Sequence, residues 1–323
     1  MTTTRATTSY LERLADAGNQ AEALFVKAAT EVIQDQVRCG IDIPTDGEVR
    51  RENYIHYHCR HFDGIDFDLL TPVTSRDGAA QMTLPTITQP IKPKPGHFLP
   101  HDFKAAQAVT DRPIKVTVPG PITIADTTVN HFYDDDRALC RDLADAINYE
   151  IRALSEAGCR YIQVDEPLFA RKPDEALSYG VENLERCFHG IGDHTTAVMH
   201  MCCGYPNYLD EEGYKKADRE VYFRLADALD QSIIDQVSIE DAHRHNDLAL
   251  LEKFERTTVI LGCIAIAKSQ VESVETIRHR LQEALEHIDP HRLIAAPDCG
   301  LGLLGRDLTV AKLENMCKAA RVC

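Results

Sequence analysis

The sequence predicts an α/β fold of the (β/α)8, or TIM-barrel, class, formed as a single catalytic domain over residues 1–323. Two patterns point there. Short apolar, β-branched runs alternate with amphipathic stretches from about residue 24 onward; seven such runs, with one more near Thr3–Tyr10, make eight. No G-x-G-x-x-G follows any early run, which weakens the rival, a doubly wound open sheet.

In chain order, the first strand is expected in the Thr-rich segment Thr3–Tyr10 and the second in Gly40-Ile-Asp-Ile-Pro-Thr-Asp46. The third to eighth are Ile114–Val118, Tyr161–Asp165, Thr196–His200, Gln236–Glu240, Thr258–Gly262 and Leu293–Pro297. These runs are short and rich in β-branched residues, as strands are. Between them, residues 136–157, 218–231, 271–288 and 307–321 place apolar side chains at three- and four-residue steps, the period of a helix with one buried face. Pro113, Gly158, Gly262, Pro290 and Gly300 fall at the joints.

Residues 52–112 break this rhythm. They carry aromatics and His56, His58 and His61, then the run Met82-Thr-Leu-Pro-Thr-Ile-Thr-Gln-Pro-Ile-Lys-Pro-Lys-Pro-Gly96. Prolines at that density exclude a helix. A hairpin or extended insertion after the second strand is expected, over the C-terminal face of the barrel where active sites form.

The formal charge is −16, from 51 acidic against 35 basic residues, and 44% of residues are hydrophobic. That apolar fraction is ample for a full core. The acidic excess repels phosphate backbones and anionic lipid, so neither nucleic acid nor a membrane is an expected partner. No bilayer-length apolar run and no signal-peptide core occur, so a cytoplasmic monomer or homo-oligomer is expected. Eleven scattered cysteines do not form a disulfide framework. Cys39, Cys140, Cys159 and Cys187 read as small buried hydrophobes, and Cys317 and Cys323 lie near the C-terminus away from any motif.

Cys202 and Cys299 read differently. His200-Met201-Cys202 closes the fifth strand, and residues i and i+2 of a strand point the same way. One imidazole and one thiolate therefore face one point. Glu240 closes the sixth strand, and Cys299 follows the eighth. Taken singly, each has a plain explanation: a hydrogen-bonded core histidine, a buried thiol, a carboxylate paired with Arg244. Jointly, barrel strand ends converge on one face, and two thiolates, an imidazole and a carboxylate suffice for tetrahedral zinc. The carboxylate is the weakest ligand of the four and the easiest for an incoming thiol to displace. Asp46, Glu48, Asp165 and Glu166 end other strands on that face. Buried carboxylates there need a cation, either Arg50, Arg51 or Arg171, or the amino group of a substrate.

Such a zinc site suits thiol alkylation better than hydrolysis. A free thiol is mostly protonated at neutral pH, whereas coordination to zinc deprotonates it and leaves a nucleophilic sulfur. A hydrolytic zinc site more typically uses a His/Asp-rich ligand set with an open water position.

Five segments carry a resemblance: Asp46-Gly-Glu-Val-Arg-Arg51, Pro119-Gly-Pro-Ile-Thr-Ile124, Ile162-Gln-Val-Asp-Glu-Pro167, His200-Met-Cys202 and Pro297-Asp-Cys-Gly-Leu301. Together they resemble the catalytic barrel of the cobalamin-independent methionine synthases over nearly the whole chain. The resemblance implies that His200, Cys202, Glu240 and Cys299 hold Zn2+ and that Glu48 and Asp165 hold the amino group of homocysteine. It places Ser9, in Thr7-Thr-Ser-Tyr10, near the amino-acid carboxylate. The implied reaction is zinc-dependent methyl transfer to a small-molecule thiol, homocysteine, giving methionine.

The chain also departs from that family. It matches only the catalytic half of the two-barrel members. It has no tryptophan, whereas the family stacks folate on one near the position of Thr127. Gly262-Cys-Ile-Ala-Ile-Ala-Lys-Ser269, at the seventh strand's end, lacks the histidine that protonates the leaving folate; Lys268 is the substitute at hand. The methyl donor is thus open between a folate and another source, such as the corrinoid protein of short single-barrel relatives. The alternatives are a zinc-dependent transferase of the epoxide-opening coenzyme M type and, in other classes, a metal-free uroporphyrinogen decarboxylase-like lyase or a non-catalytic binding barrel.

Overall fold

A computed structural model describes residues 3–75 and 80–323, with the side chains of residues 3–9, 75, 80 and 81 outside the description. The chain clusters into two units, each assembled from separate stretches of sequence.

The first unit comprises Met1–Ile33, Thr45–Val164 and Glu182–Thr195. Its longest strands, β1 (Phe62–Ser75) and β2 (Ala80–Pro93), pair antiparallel, with register shifts between Asp63 and Ile65 and between Asp66 and Leu70. Strand β3 (Lys115–Pro119) follows, then the two-residue β4 (Val129–Asn130), which adds parallel to β2. Strand β5 (Tyr161–Asp165) lies beside β3. The helix Asp136–Glu156 buries Leu139, Leu143, Ile147, Ile151 and Leu154, a stripe at three- and four-residue steps. The Asp135 carboxylate caps it by accepting from the Ala138 N–H at 2.7 Å. From the buried side of that helix, Glu150 accepts from the N–H groups of Phe98 and Leu99, both at 3.2 Å, and so satisfies the start of the helix Leu99–Gln107.

The second unit comprises Gln34–Pro44, Asp165–Val181 and Thr196–Cys323. Strands β6 (Thr196–Met201), β7 (Gln236–Ile239), β8 (Thr258–Ile264) and β9 (Leu293–Pro297) are neighbours in that order, every pair parallel. Strands β6 to β8 are buried almost continuously, as parallel strands covered on both faces must be. Helices Val221–Gln231, Val274–Ala284 and Arg306–Ala320 follow β6, β8 and β9. Ile277, Leu281, Leu313 and Met316 pack with Ile264 and Cys39 in one apolar cluster. Among the described residues, no helix is long and apolar enough to cross a membrane.

The first two expected strands take other conformations. Thr3–Ala17 is a helix: the helix formers of Leu11-Glu-Arg-Leu-Ala-Asp-Ala17 outweigh the β-branched threonines before them. Gly40–Asp46 is not a strand, because the helix Ala21–Cys39 runs into it and stops on Gly40 at φ +102°. The Ile41 N–H then reaches back to the Gln36 carbonyl at 3.0 Å, a glycine-ended helix terminus. Pro44, lacking an N–H, and Glu48 at φ +56° disfavour a ladder beyond it.

The β8–β9 register shifts between Gly262 and Ile264, where the chain makes room for Asp298. A methyl group on Gly262 would lie 2.9 Å from Asp298 Cα and collide with its carboxylate. Gly262→Ala is therefore expected to cost about 1–3 kcal/mol of stability through overpacking. Urea unfolding checks this, and an unchanged midpoint would contradict the tight approach.

Candidate metal centre

Strand register places the first donor. His200 lies opposite Ser238 in the β6–β7 pairing, and His200 Nδ1 is 2.9 Å from the Ser238 hydroxyl. When Nδ1–H donates to that oxygen, the ring's lone pair is on Nε2, the tautomer that a metal takes. The Glu166 N–H donates to the His200 carbonyl at 2.9 Å and steadies the end of β6. Cys202 leaves that strand two residues after His200, and Cys299 follows β9.

One donor atom from each of His200, Cys202 and Cys299 lies within 4.8 Å of the others. Two sulfurs sharing one zinc at bonds of about 2.3 Å stand about 3.8 Å apart, a spacing inside that limit. His200 and Cys202 are buried and Cys299 is half-buried.

The two thiols are electrostatically unequal. The Cys299 S–H donates to Cys202 and, with His200 adding to the effect, holds the Cys202 thiol well below the ordinary range despite burial. Cys299 is pushed well above that range, first by this same bond, then by burial and the Cys202 charge, with a contribution from Asp165 at the end of β5. A divalent cation held between them would favour the thiolate form of both. By contrast, burial pushes the adjacent Cys203 thiol up to about 11.

Glu240 is not among the three gathered groups. Its Oε1 pairs with Lys216 Nζ at 2.7 Å, and its Oε2 accepts from the Cys203 N–H at 3.2 Å. Its own N–H donates to the Tyr222 hydroxyl at 3.3 Å, which donates in turn to the Met201 carbonyl at 3.1 Å. Burial pushes the Glu240 carboxyl up, with Lys216 opposing. Burial works against the Lys216 ammonium, but Glu240 outweighs it and keeps that group above its ordinary range. Arg244, the partner read from the sequence, donates instead to the Ala217 carbonyl at 2.7 Å.

Asp298 fixes the loop beyond Glu240. Its Oδ1 accepts from the N–H groups of Asp241 and Ala242, both at 2.9 Å, and its Oδ2 from the His243 N–H at 2.8 Å. His243 Nδ1 adds a fourth bond to Oδ2 at 2.8 Å. Asp241, also buried, takes a two-pronged pair from Arg280 at 2.7 and 2.8 Å. Lys216, Tyr222, Asp298 and Arg280 are the site-building residues that pattern reading missed. Only Asp298 left a signal, as a carboxylate inside the Pro297-Asp-Cys-Gly-Leu301 segment.

Of the remaining candidates, Asp165 acts electrostatically on Cys299 as described above, and Glu48 belongs to the first unit. Glu48, at the left-handed φ noted above, accepts from the Thr117 hydroxyl at 2.7 Å and pairs with Arg51 at 3.1 Å, the arginine alternative raised by the sequence. The Ser9 side chain lies outside the described residues. Cys39, Cys140, Cys159 and Cys187 are buried, and every cysteine is a free thiol.

Residues 2–322 match the family model described as "Cobalamin-independent synthase, Catalytic domain". This chain belongs to that family. The methionine synthase of Saccharolobus solfataricus is 32% identical over 303 residues, covering 92% of this chain and 84% of that protein. The methionine synthase of Thermococcus kodakarensis is 31% identical over 297 residues, covering 91% and 82%. A solved B12-independent methionine synthase from Shewanella sp. W3-18-1, in complex with selenomethionine, matches with a TM-score of 0.86 at 29% identity, covering 94% of this chain and 89% of that one. The fold is the α/β barrel class expected from the sequence, and the decarboxylase-like alternative is set aside.

Asp298→Ala would strip the acceptor from three backbone donors, each costing about 1–3 kcal/mol if left unpaired and buried. The variant is expected to unfold at clearly lower urea concentration, with Asp298→Asn, which keeps one acceptor oxygen, in between. Wild-type stability in Asp298→Ala would show that this carboxylate does not hold the loop.

Proposed function

We propose that this chain is a zinc-dependent methyltransferase acting on a thiol, with homocysteine as acceptor and methionine as product. The observation that carries the reading is the convergence of His200, Cys202 and Cys299 from distant parts of the sequence. Two thiolates and an imidazole are a donor set that zinc favours, and three firm protein ligands leave a position for substrate. The match to a family catalytic-domain model over residues 2–322 supports reading the chain as one catalytic domain. So do relatives named methionine synthase, and a solved relative holding selenomethionine, an analogue of the proposed product.

When bound, zinc would supply a Lewis-acid centre at which a substrate thiol is kept as thiolate at neutral pH. The protein's own part is positioning. Ser238 sets the orientation of the His200 ring, burial around Cys202 keeps water out, and Glu240 is the carboxylate proposed as the exchangeable fourth ligand. The substrate sulfur would attack the methyl carbon, the new S–C bond forming as the donor's bond to that carbon breaks and its electron pair leaves with the donor. From the resemblance, the carboxylates of Glu48 and Asp165 are assigned to the substrate's amino group and Ser9 to its carboxylate. The descriptions "cobalamin-independent" and "B12-independent" support a small-molecule methyl donor over a corrinoid protein. A reducing compartment, the cytoplasm, suits eleven cysteines that form no disulfide.

Metal analysis of the purified protein is expected to find about one equivalent of zinc per chain, lost in Cys299→Ala. Wild-type protein that takes up no zinc rejects the reading. Calorimetry tests the acceptor: homocysteine should bind the zinc-loaded protein more tightly than thiols lacking an amino group, with the preference reduced in Asp165→Asn. Equal binding of both kinds of thiol would remove Glu48 and Asp165 from the substrate site and favour a coenzyme M-type acceptor.

A further inference from the structure

Lys216 is built into the site more firmly than a loop lysine needs to be. It lies in the segment between β6 and the helix Val221–Gln231, close to the point where that segment closes on itself through the Ala217 N–H and the Cys203 carbonyl at 2.8 Å. Arg244 holds Ala217 from the other side. The Lys216 ammonium lies 5.2 Å from the Tyr214 ring centroid. Tyr214 in turn meets the His243 ring edge-on, with centroids 6.3 Å apart. Both members of the Lys216–Glu240 pair are largely buried, with side chains 12% and 4% exposed.

A buried carboxylate paired in this way cannot serve a metal at no cost, because leaving Lys216 strands a buried ammonium. Glu240 also holds the N–H of Cys203, the residue next to the Cys202 donor, and its carboxyl feels the Cys202 charge, so it lies beside the gathered donors without being one of them. Lys216 and a metal ion therefore compete for one carboxylate.

We propose that Lys216 is a positioning residue that receives Glu240 when a substrate thiol takes the fourth coordination position, so that Glu240 exchanges between metal and ammonium. This rests on the zinc-thiol reading above and adds the device that makes the fourth ligand labile. A ligand that stabilises one of two states shifts the affinity of whatever binds the other. Lys216 favours the state with Glu240 off the metal. Its removal should tighten zinc in the thiol-free protein and weaken homocysteine binding to the zinc-loaded protein.

The test is a cycle of wild type, Lys216→Met, Glu240→Gln and the double variant. Zinc affinity is read by chelator competition and homocysteine affinity by calorimetry. Lys216→Met is expected to tighten zinc and weaken homocysteine, each on the order of tenfold, and to do neither in the Glu240→Gln background. Opposite shifts that persist without Glu240 would mean that Lys216 acts by its charge alone and overturn the inference. So would a loss of both affinities together, the sign of a purely structural lysine. Should Lys216→Met not fold, crystal structures of zinc-loaded wild type with and without homocysteine decide. Glu240 must be on Lys216 in the thiol complex; Glu240 still bound to zinc there overturns the proposal. Wild type that binds neither zinc nor homocysteine fails the functional reading itself, a result distinct from all of these.

Discussion

The carboxylate of Asp298 accepts three successive backbone N–H groups from residues 241–243 and a fourth bond from His243, and it fits only because position 262 carries no side chain. That one anion joins the outlets of β7, β8 and β9. Glu240 lies immediately before the tethered loop and Cys299 immediately after the anchoring aspartate, so both chain exits are set by the same bonds. Tyr222 makes the matching connection between the ends of β6 and β7. The site is thus specified less by its donor atoms than by the hydrogen bonds that fix where each strand stops.

Much of this was legible in the sequence. Parallel strands buried on both faces leave continuous apolar runs, and six of the expected runs are strands β3 and β5 to β9. His200 and Cys202 are readable as a pair because a strand's two-residue repeat is local, and Cys299 because it follows the eighth expected strand, whose end a barrel brings to the same face. The misses have a common cause. In Thr3–Tyr10 and Gly40–Asp46 residue type suggests a strand, whereas neighbours set the outcome: helix formers downstream in one case, a helix arriving from upstream in the other. Lys216 and Arg280 left no trace, because an ion pair formed across 24 or 39 residues follows no period.

The cysteines show how environment divides a uniform residue type. Cys202 and Cys203 are adjacent, yet one is hydrogen-bonded to Cys299 beside an imidazole, whereas burial and the Glu240 charge raise the other against the opposing bond from Tyr222. The first is gathered with His200 and Cys299, and the second is not.

The segment after β6 is joined at its base by the bond from Ala217 to Cys203. Within the segment so closed, the Asp210 N–H donates to the Ala267 carbonyl at 2.7 Å, its carboxylate accepts from the Ser269 N–H at 2.8 Å, and the Tyr205 hydroxyl donates to the Gly300 carbonyl at 2.9 Å, so a change of length there would be felt at the outlets of β8 and β9.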